Sequence, residues 1–306
     1  MIEHLIPILA GTLGASVPLI FAGLGELVTE RTGVINLGVE GMMLVGAIAG
    51  FAAAAETGYG AAAGIPAGAL AGAGIAMVFA FFALSLAANQ AACGLALTIF
   101  GIGLSAFIGQ HYISYSLPGL KPIALPLLSD IPVIGPILFT QDAVVYLSLL
   151  AFAGIAWTLG KTRLGLLLKA IGESPEAAHA IGYPVISIRF GAVAFGGAMA
   201  GIAGAYLSTV YTPLWVQNMS AGRGWIAVAL VVFASWKPAR LMLGAYLFGA
   251  VTILQFHAQG LGIIVPVQFL AALPYVATII VLVIISRDRR VLQNNLPASL
   301  GKPFLP

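Results

Sequence analysis

The chain of 306 residues is 60% hydrophobic and only 8% charged, with a net charge of +3. A soluble domain carries about 25% charged residues, so water is excluded as the solvent for most of this sequence. The pI of about 9.1 does not signal nucleic acid, because the basic residues sit at the ends of apolar segments, as membrane orientation requires.

No Asp, Glu, Lys or Arg occurs between Glu56 and Lys121, between Arg189 and Arg223, or between Arg240 and Arg287, gaps of 64, 33 and 46 residues. A membrane span needs about 20 apolar residues, so each gap holds at least one crossing. The N-terminal MIEHLIPILAG lacks a basic region and runs directly into a full-length apolar segment, which is expected to remain as the first span and not to be cleaved. Apolar spans are read at roughly 5–25, 34–55, 61–86, 92–110, 143–160, 190–210, 224–236, 240–257 and 264–286. The fold expected is an all-α polytopic transmembrane bundle of about 8 to 9 spans, allowing for broken or re-entrant helices, forming one transmembrane domain over 1–306. The 13 residues of 224–236 give about 20 Å of helix against a hydrocarbon core of about 30 Å, so a broken or re-entrant helix is expected there.

Between the first two spans, residues 25–41 combine glycines with Glu26, Glu30, Glu40, Arg31 and Asn36. A polar, glycine-rich break suits a discontinuous helix lining a substrate path, where free backbone groups face a polar ligand. The plainer reading is a cytoplasmic turn with caps. Gly60, Gly64, Gly68 and Gly72 recur every fourth residue and predict close helix packing within one subunit, in preference to a dimer face. Cys93 is the single cysteine, so no disulfide within the chain and no thiolate cluster is available. The connection 111–142 carries Pro118, Pro122, Pro126, Pro132 and Pro136, which argue against helix.

The connection 161–189 is the longest charged stretch between spans and contains a helix start. Ser174 is a cap, Pro175 fits the first helical position, Glu176 favours the positive helix end and Gly182 is a stop. Such an exposed helix is suited to docking in a groove on a partner. Gly160-Lys161-Thr162 is not a phosphate loop, because Ile155 stands where that loop needs glycine. His4, His111, His179 and His257 show no metal-ligand spacing, and the tryptophans Trp157, Trp215, Trp225 and Trp236 are expected mostly at membrane interfaces. Ten of the thirteen basic residues fall in 161–189, near 238 or in the tail 287–306, which makes that side cytoplasmic, 111–142 external and the N-terminus external.

Three segments together resemble a known family: TERTGVINLGVEGMMLVGA at 29–47, AIGESPEAAHAIGYPV at 170–185 and NMSAGRGWIAVALVVFASWKP at 218–238. They are similar in kind and order to the permease subunits of nucleoside-type ABC importers, within the simple-sugar and branched-chain amino acid permease group. The resemblance implies a multi-pass protein of the bacterial cytoplasmic membrane that is not itself an enzyme. It pairs with a second permease, a related heteromeric one in preference to a second copy. It also works with two cytoplasmic ATPase subunits, which hold the ATP and Mg, and with an external substrate-binding protein. No cofactor is expected in this chain.

The resemblance further makes Gly172, Glu173, Ser174, Pro175, Glu176, Ala177, Ala178 and Gly182 the coupling helix that meets the ATPase. Glu26, Glu30, Asn36, Glu40, Arg223 and Trp225 are the substrate-pathway candidates, with Trp225 suited to stacking on a nucleobase. Sugar permeases of this group typically carry aspartate at the position of Asn36, which favours nucleosides. The alternatives are a simple-sugar or branched-chain amino acid permease, or an ion-coupled carrier using Glu26, Glu30 or Glu40.

Overall fold

The computed structural model describes residues 2–260, 269, 272–273, 275–277, 279–280 and 295–305, so most of the span expected over 264–286 lies outside the described residues. Among the described residues, seven helices are long and apolar enough to cross a membrane. The chain opens with α1 (Ile2–Arg31), α2 (Val39–Thr57), α3 (Ala61–Ala80) and α4 (Gln90–Gly109). The proline-rich connection follows, with a two-residue antiparallel pair of β1 (Ile123–Ala124) and β2 (Thr140–Gln141) enclosing the short helix α5 (Ile134–Leu138). Then come α6 (Ala143–Lys161), α7 (Arg163–Glu173), α8 (Pro175–Ala180), α9 (Val185–Tyr206), α10 (Arg223–Phe233) and α11 (Pro238–Gly260). Single π-helical turns extend α3 over Phe81–Ser85 and α9 over Leu207–Tyr211.

The segment at 224–236 is the short helix its length predicts: α10 has 11 residues, about 16 Å of helix, half of what a bilayer core demands. One expectation is corrected. The connection 111–142 does contain helix at α5, because Pro136 falls in its first turn, where the missing N–H has no intrahelical partner to lose.

The centre of the bundle is a seam of glycines joining α2, α3 and α9. A Cβ on Gly201 would overlap the Gly68 carbonyl, one on Gly72 the Gly197 carbonyl, and one on Gly46 the Gly201 backbone. Without hydrophobic drive between helices in lipid, such backbone approach supplies the packing contacts and van der Waals attraction that hold them together. Gly64, Gly68 and Gly72 of the expected series lie in this seam, whereas Gly60 precedes α3 with positive φ and open space beside it. Small residues also let α1 meet α9 at Gly25 and Gly196, and α2 meet α4 at Gly41 and Gly101. The most exposed of the seven long helices are α4 and α6, with Ile99, Phe107, Leu150 and Trp157 pointing outward. Trp157 fits an interface belt, but Trp215 and Trp236 are buried, the first against Gly109.

Candidate functional site

The polar break after α1 and the segment around α10 lie some 200 residues apart in sequence and interlock in space. Glu40, in the first turn of α2, directs its carboxylate at the start of α10. Oε1 accepts from Ser220 Oγ at 2.6 Å and from the Gly222 N–H at 2.9 Å, while Oε2 accepts from the Gly224 N–H at 2.6 Å. The negative charge thus faces the positive ends of two helices at once, and it satisfies amide donors that α10 cannot pair internally. Glu40 is only 3% exposed, a burial made tolerable by those three donors.

The far end of α10 is held the same way from α1. Trp236 donates its indole N–H to Glu30 Oε2 at 2.6 Å, and its carbonyl accepts from Arg31 Nη2 at 2.7 Å. Ala221, Ser235 and Trp236 flank α10 in left-handed backbone conformations that non-glycine residues seldom adopt, at φ 47°, 50° and 55°. Such residues cost about 1–3 kcal/mol each and persist where their surroundings over-determine them. Carboxylates clamped at both ends of a half-length helix provide those surroundings.

The remaining pathway candidates divide. Glu26 is buried, with Oε1 accepting from the Asn36 N–H at 3.0 Å and Oε2 without a hydrogen-bond partner among the described residues. Asn36 Oδ1 accepts from the Gly38 N–H at 2.9 Å, and its amide reaches Met42 Sδ at 3.4 Å, in the turn that leads into α2. Glu30, Asn36 and Glu40 therefore all point into protein. Arg223 donates to the Met219 and Ser220 carbonyls, each at 3.3 Å, bracing the loop before α10. Trp225 is 37% exposed.

Trp225 and Val232, both exposed, and the part-buried Val228 and Ala229 form the least covered stripe of α10, while Gly224, Ala227, Leu230 and Val231 are buried. Val228, Ala229 and Val232 are missed by sequence reasoning. The helical period from Trp225, at i+3, i+4 and i+7, was the available signal.

On the other polar connection, Ser174 Oγ accepts from the Ala177 N–H at 3.3 Å and Pro175 opens α8 as expected. Thr162 caps the preceding α7 by accepting from the Gly165 N–H at 3.2 Å. Glu173, Glu176 and Ala177 are exposed, as is Gly182, which takes φ 94° just after the helix. Ala178 faces inward, 4% exposed, against Ile171, Val185 and Phe304. Gly172 is also inward, so close to the Arg31 carbonyl that a Cβ would overlap it. The outward surface is Ala177, Ala180, Ile181 and Tyr183. Burial pushes the Lys169 ammonium of α7 below its ordinary value, and the Arg31 guanidinium pushes it the same way. Among the described residues, no group of three or more His, Cys, Asp or Glu gathers as a metal would require.

Among the described residues, seven membrane-length helices and one half-length helix with clamped ends define a polytopic membrane protein. The chain belongs to the family described as branched-chain amino acid transport system permease components, which matches residues 8–286. It is 43% identical over 297 residues, 90% of each chain, to a putative glucose ABC transporter permease protein, TsgC13, of Haloferax volcanii. It is 34% identical over 287 residues, 90% of each chain, to the nucleoside ABC transporter permease protein NupC of Lactococcus lactis. It is 31% identical over 323 residues, 99% of each chain, to the guanosine ABC transporter permease protein NupQ of Bacillus subtilis. No solved structure matches. The protein is thus a multi-pass permease component of an ABC transporter, and membership implies an ATPase and a substrate-binding protein as partners.

Proposed function

We propose that this chain is the membrane-spanning half of a nucleoside importer and that the least covered stripe of α10 borders the passage. The carrying observation is α10 itself: a half-length helix inside the bundle, clamped by Glu40 and Glu30, with Trp225 and Val232 left uncovered. Irregular backbone at membrane depth survives only where it is buried in protein or lines a wet cavity. Arg223 and Trp225 remain the substrate-pathway residues of this reading. Glu30, Asn36 and Glu40 become the frame that holds them.

The nucleoside assignment draws on the two relatives named for nucleoside and guanosine transport. A simple sugar is the second reading, favoured by the 43% identity to the relative named for glucose. Asn36 Oδ1 accepts from the Gly38 N–H as an aspartate oxygen would, but its amide also donates to Met42 Sδ, which aspartate cannot, so Asn36 still favours the first reading. The discriminating experiment is uptake of labelled guanosine, uridine and glucose by the assembled transporter, each competed by the other two. Nucleoside uptake that excess glucose leaves untouched supports the first reading, and the reverse pattern replaces it.

A related second permease completes the passage, ATP and Mg are held by cytoplasmic ATPase subunits, and α8 docks on them through its outward face. The cytoplasmic membrane is the location, with the N-terminus outside and the C-terminus inside. Ala177→Glu is expected to reduce co-purification of the ATPase, since overpacking costs about 1–3 kcal/mol, roughly 5- to 150-fold in affinity. Full recovery of the ATPase with that variant would remove α8 as the docking element.

A further inference from the structure

We propose that the C-terminal segment 297–304 is the rigid link that carries the ATPase stroke from α7 and α8 to the α1–α2 break and α10, with Ser299 and Arg189 as its positioning residues. This rests on the reading of 161–189 as the docking element. The segment touches α7, α8 and the turn between α1 and α2 directly, and it reaches α10 through Arg31. At α8, Phe304 packs in one cluster with Ile171, Ala178 and Val185, and its ring meets His179 edge-on with centroids 5.8 Å apart. At α7, the Gly172 carbonyl accepts from both Ser299 N at 2.9 Å and Ser299 Oγ at 2.8 Å. At the α1–α2 turn, the Gly301 N–H donates to the Gly33 carbonyl at 3.0 Å.

Arg189 binds these contacts into one node. Its guanidinium is 1% exposed, donates through Nε to the Thr32 carbonyl at 2.9 Å and through Nη2 to Ser299 Oγ at 3.1 Å, and lies 5.9 Å from the centroid of the Phe304 ring. Burying a cation on a carbonyl, a hydroxyl and an aromatic face is a costly arrangement. It fixes the distance between the docking helices and the end of α1. Gly33 takes φ 88°, and a Cβ there would overlap Ser299 Oγ, so the turn is shaped to receive the segment. Two residues before Gly33, at the end of α1, Arg31 holds the Trp236 carbonyl and also donates to the Asn295 carbonyl at 3.2 Å. A displacement of α8 therefore reaches the end of α10 through hydrogen-bonded backbone, and not through flexible side chains alone.

The test uses the complete transporter in proteoliposomes, with ATPase subunits and binding protein, and measures substrate uptake per ATP hydrolysed for Ser299→Ala, Ser299→Thr and Phe304→Ala. Mutations along a coupling network commonly change coupling by about 2- to 30-fold. A fall of that size in uptake per ATP for Ser299→Ala and Phe304→Ala, with ATPase recovery unchanged and Ser299→Thr close to wild type, is the expected result. Unaltered uptake per ATP, or a loss of uptake that only follows the amount of assembled complex, overturns the link. If Ser299→Ala does not accumulate, Phe304→Ala at the segment's end carries the test. Failure of the docking reading appears separately, as undiminished ATPase recovery with Ala177→Glu.

Discussion

Glu40 is a buried carboxylate whose acceptor positions are taken by Ser220, Gly222 and Gly224. Removing it strands a buried hydroxyl and two buried amides, at about 1–3 kcal/mol for each unsatisfied group. Glu40→Ala is therefore expected to lower the melting temperature in detergent sharply and to reduce accumulation in membranes. Glu40→Gln keeps one acceptor oxygen but turns an NH2 toward a donor, so an intermediate loss is expected. Wild-type melting of Glu40→Ala would refute the clamp. The same logic explains why Glu30 and Arg31 meet the two polar ends of Trp236: without them its indole N–H and its left-handed backbone carbonyl would be orphaned in the bundle.

At the scale of elements, α10 and the glycine seam make separate expectations. In a Cys93→Ser background, cysteines at 225 and 232 should react with a small polar thiol reagent, whereas cysteines at 36 and 40 should be protected. Equal reactivity at all four positions would return Asn36 and Glu40 to the passage. In the seam, Gly201→Ala must drive α9 off the Gly68 carbonyl, while Gly74 on α3 has open space where its Cβ would lie. Gly201→Ala is thus expected to destabilise by about 1–3 kcal/mol or to prevent folding, with Gly74→Ala neutral or mildly stabilising. Thermal melting of both variants in one detergent checks the difference. The α8 helix illustrates what local chemistry reveals. Its Ser174 cap and Pro175 start were legible in the sequence, but which alanine faces outward was not, since burial of Ala178 depends on Phe304, more than 100 residues on.

At the scale of the molecule, the length of α1 and one contact bear on topology. The span of α1 separates residue 5 from Arg31 by most of a 27-residue helix, about 40 Å. Gly301 bonds to Gly33, just past the end of α1, so residue 300 lies at the Arg31 end of α1. Reporters fused at residues 3 and 300 should therefore report opposite compartments, with the basic end inside. Identical reports from both would refute the arrangement of the ends.

What the sequence by itself determined was the solvent, the helical class and the approximate spans, because hydropathy and charge placement are local properties that a bilayer reads segment by segment. It also marked residues 29–47, 170–185 and 218–238 as special. Only the tertiary structure decided what they do to one another: Glu40 and Glu30 hold α10 at its two ends, and residues 297–304 close against Gly33, Gly172 and Arg189. The physical reason is that a carboxylate's role in a membrane protein depends on which donors reach it. The donors for Glu30 and Glu40 come from 180 or more residues away, beyond any periodicity or spacing rule.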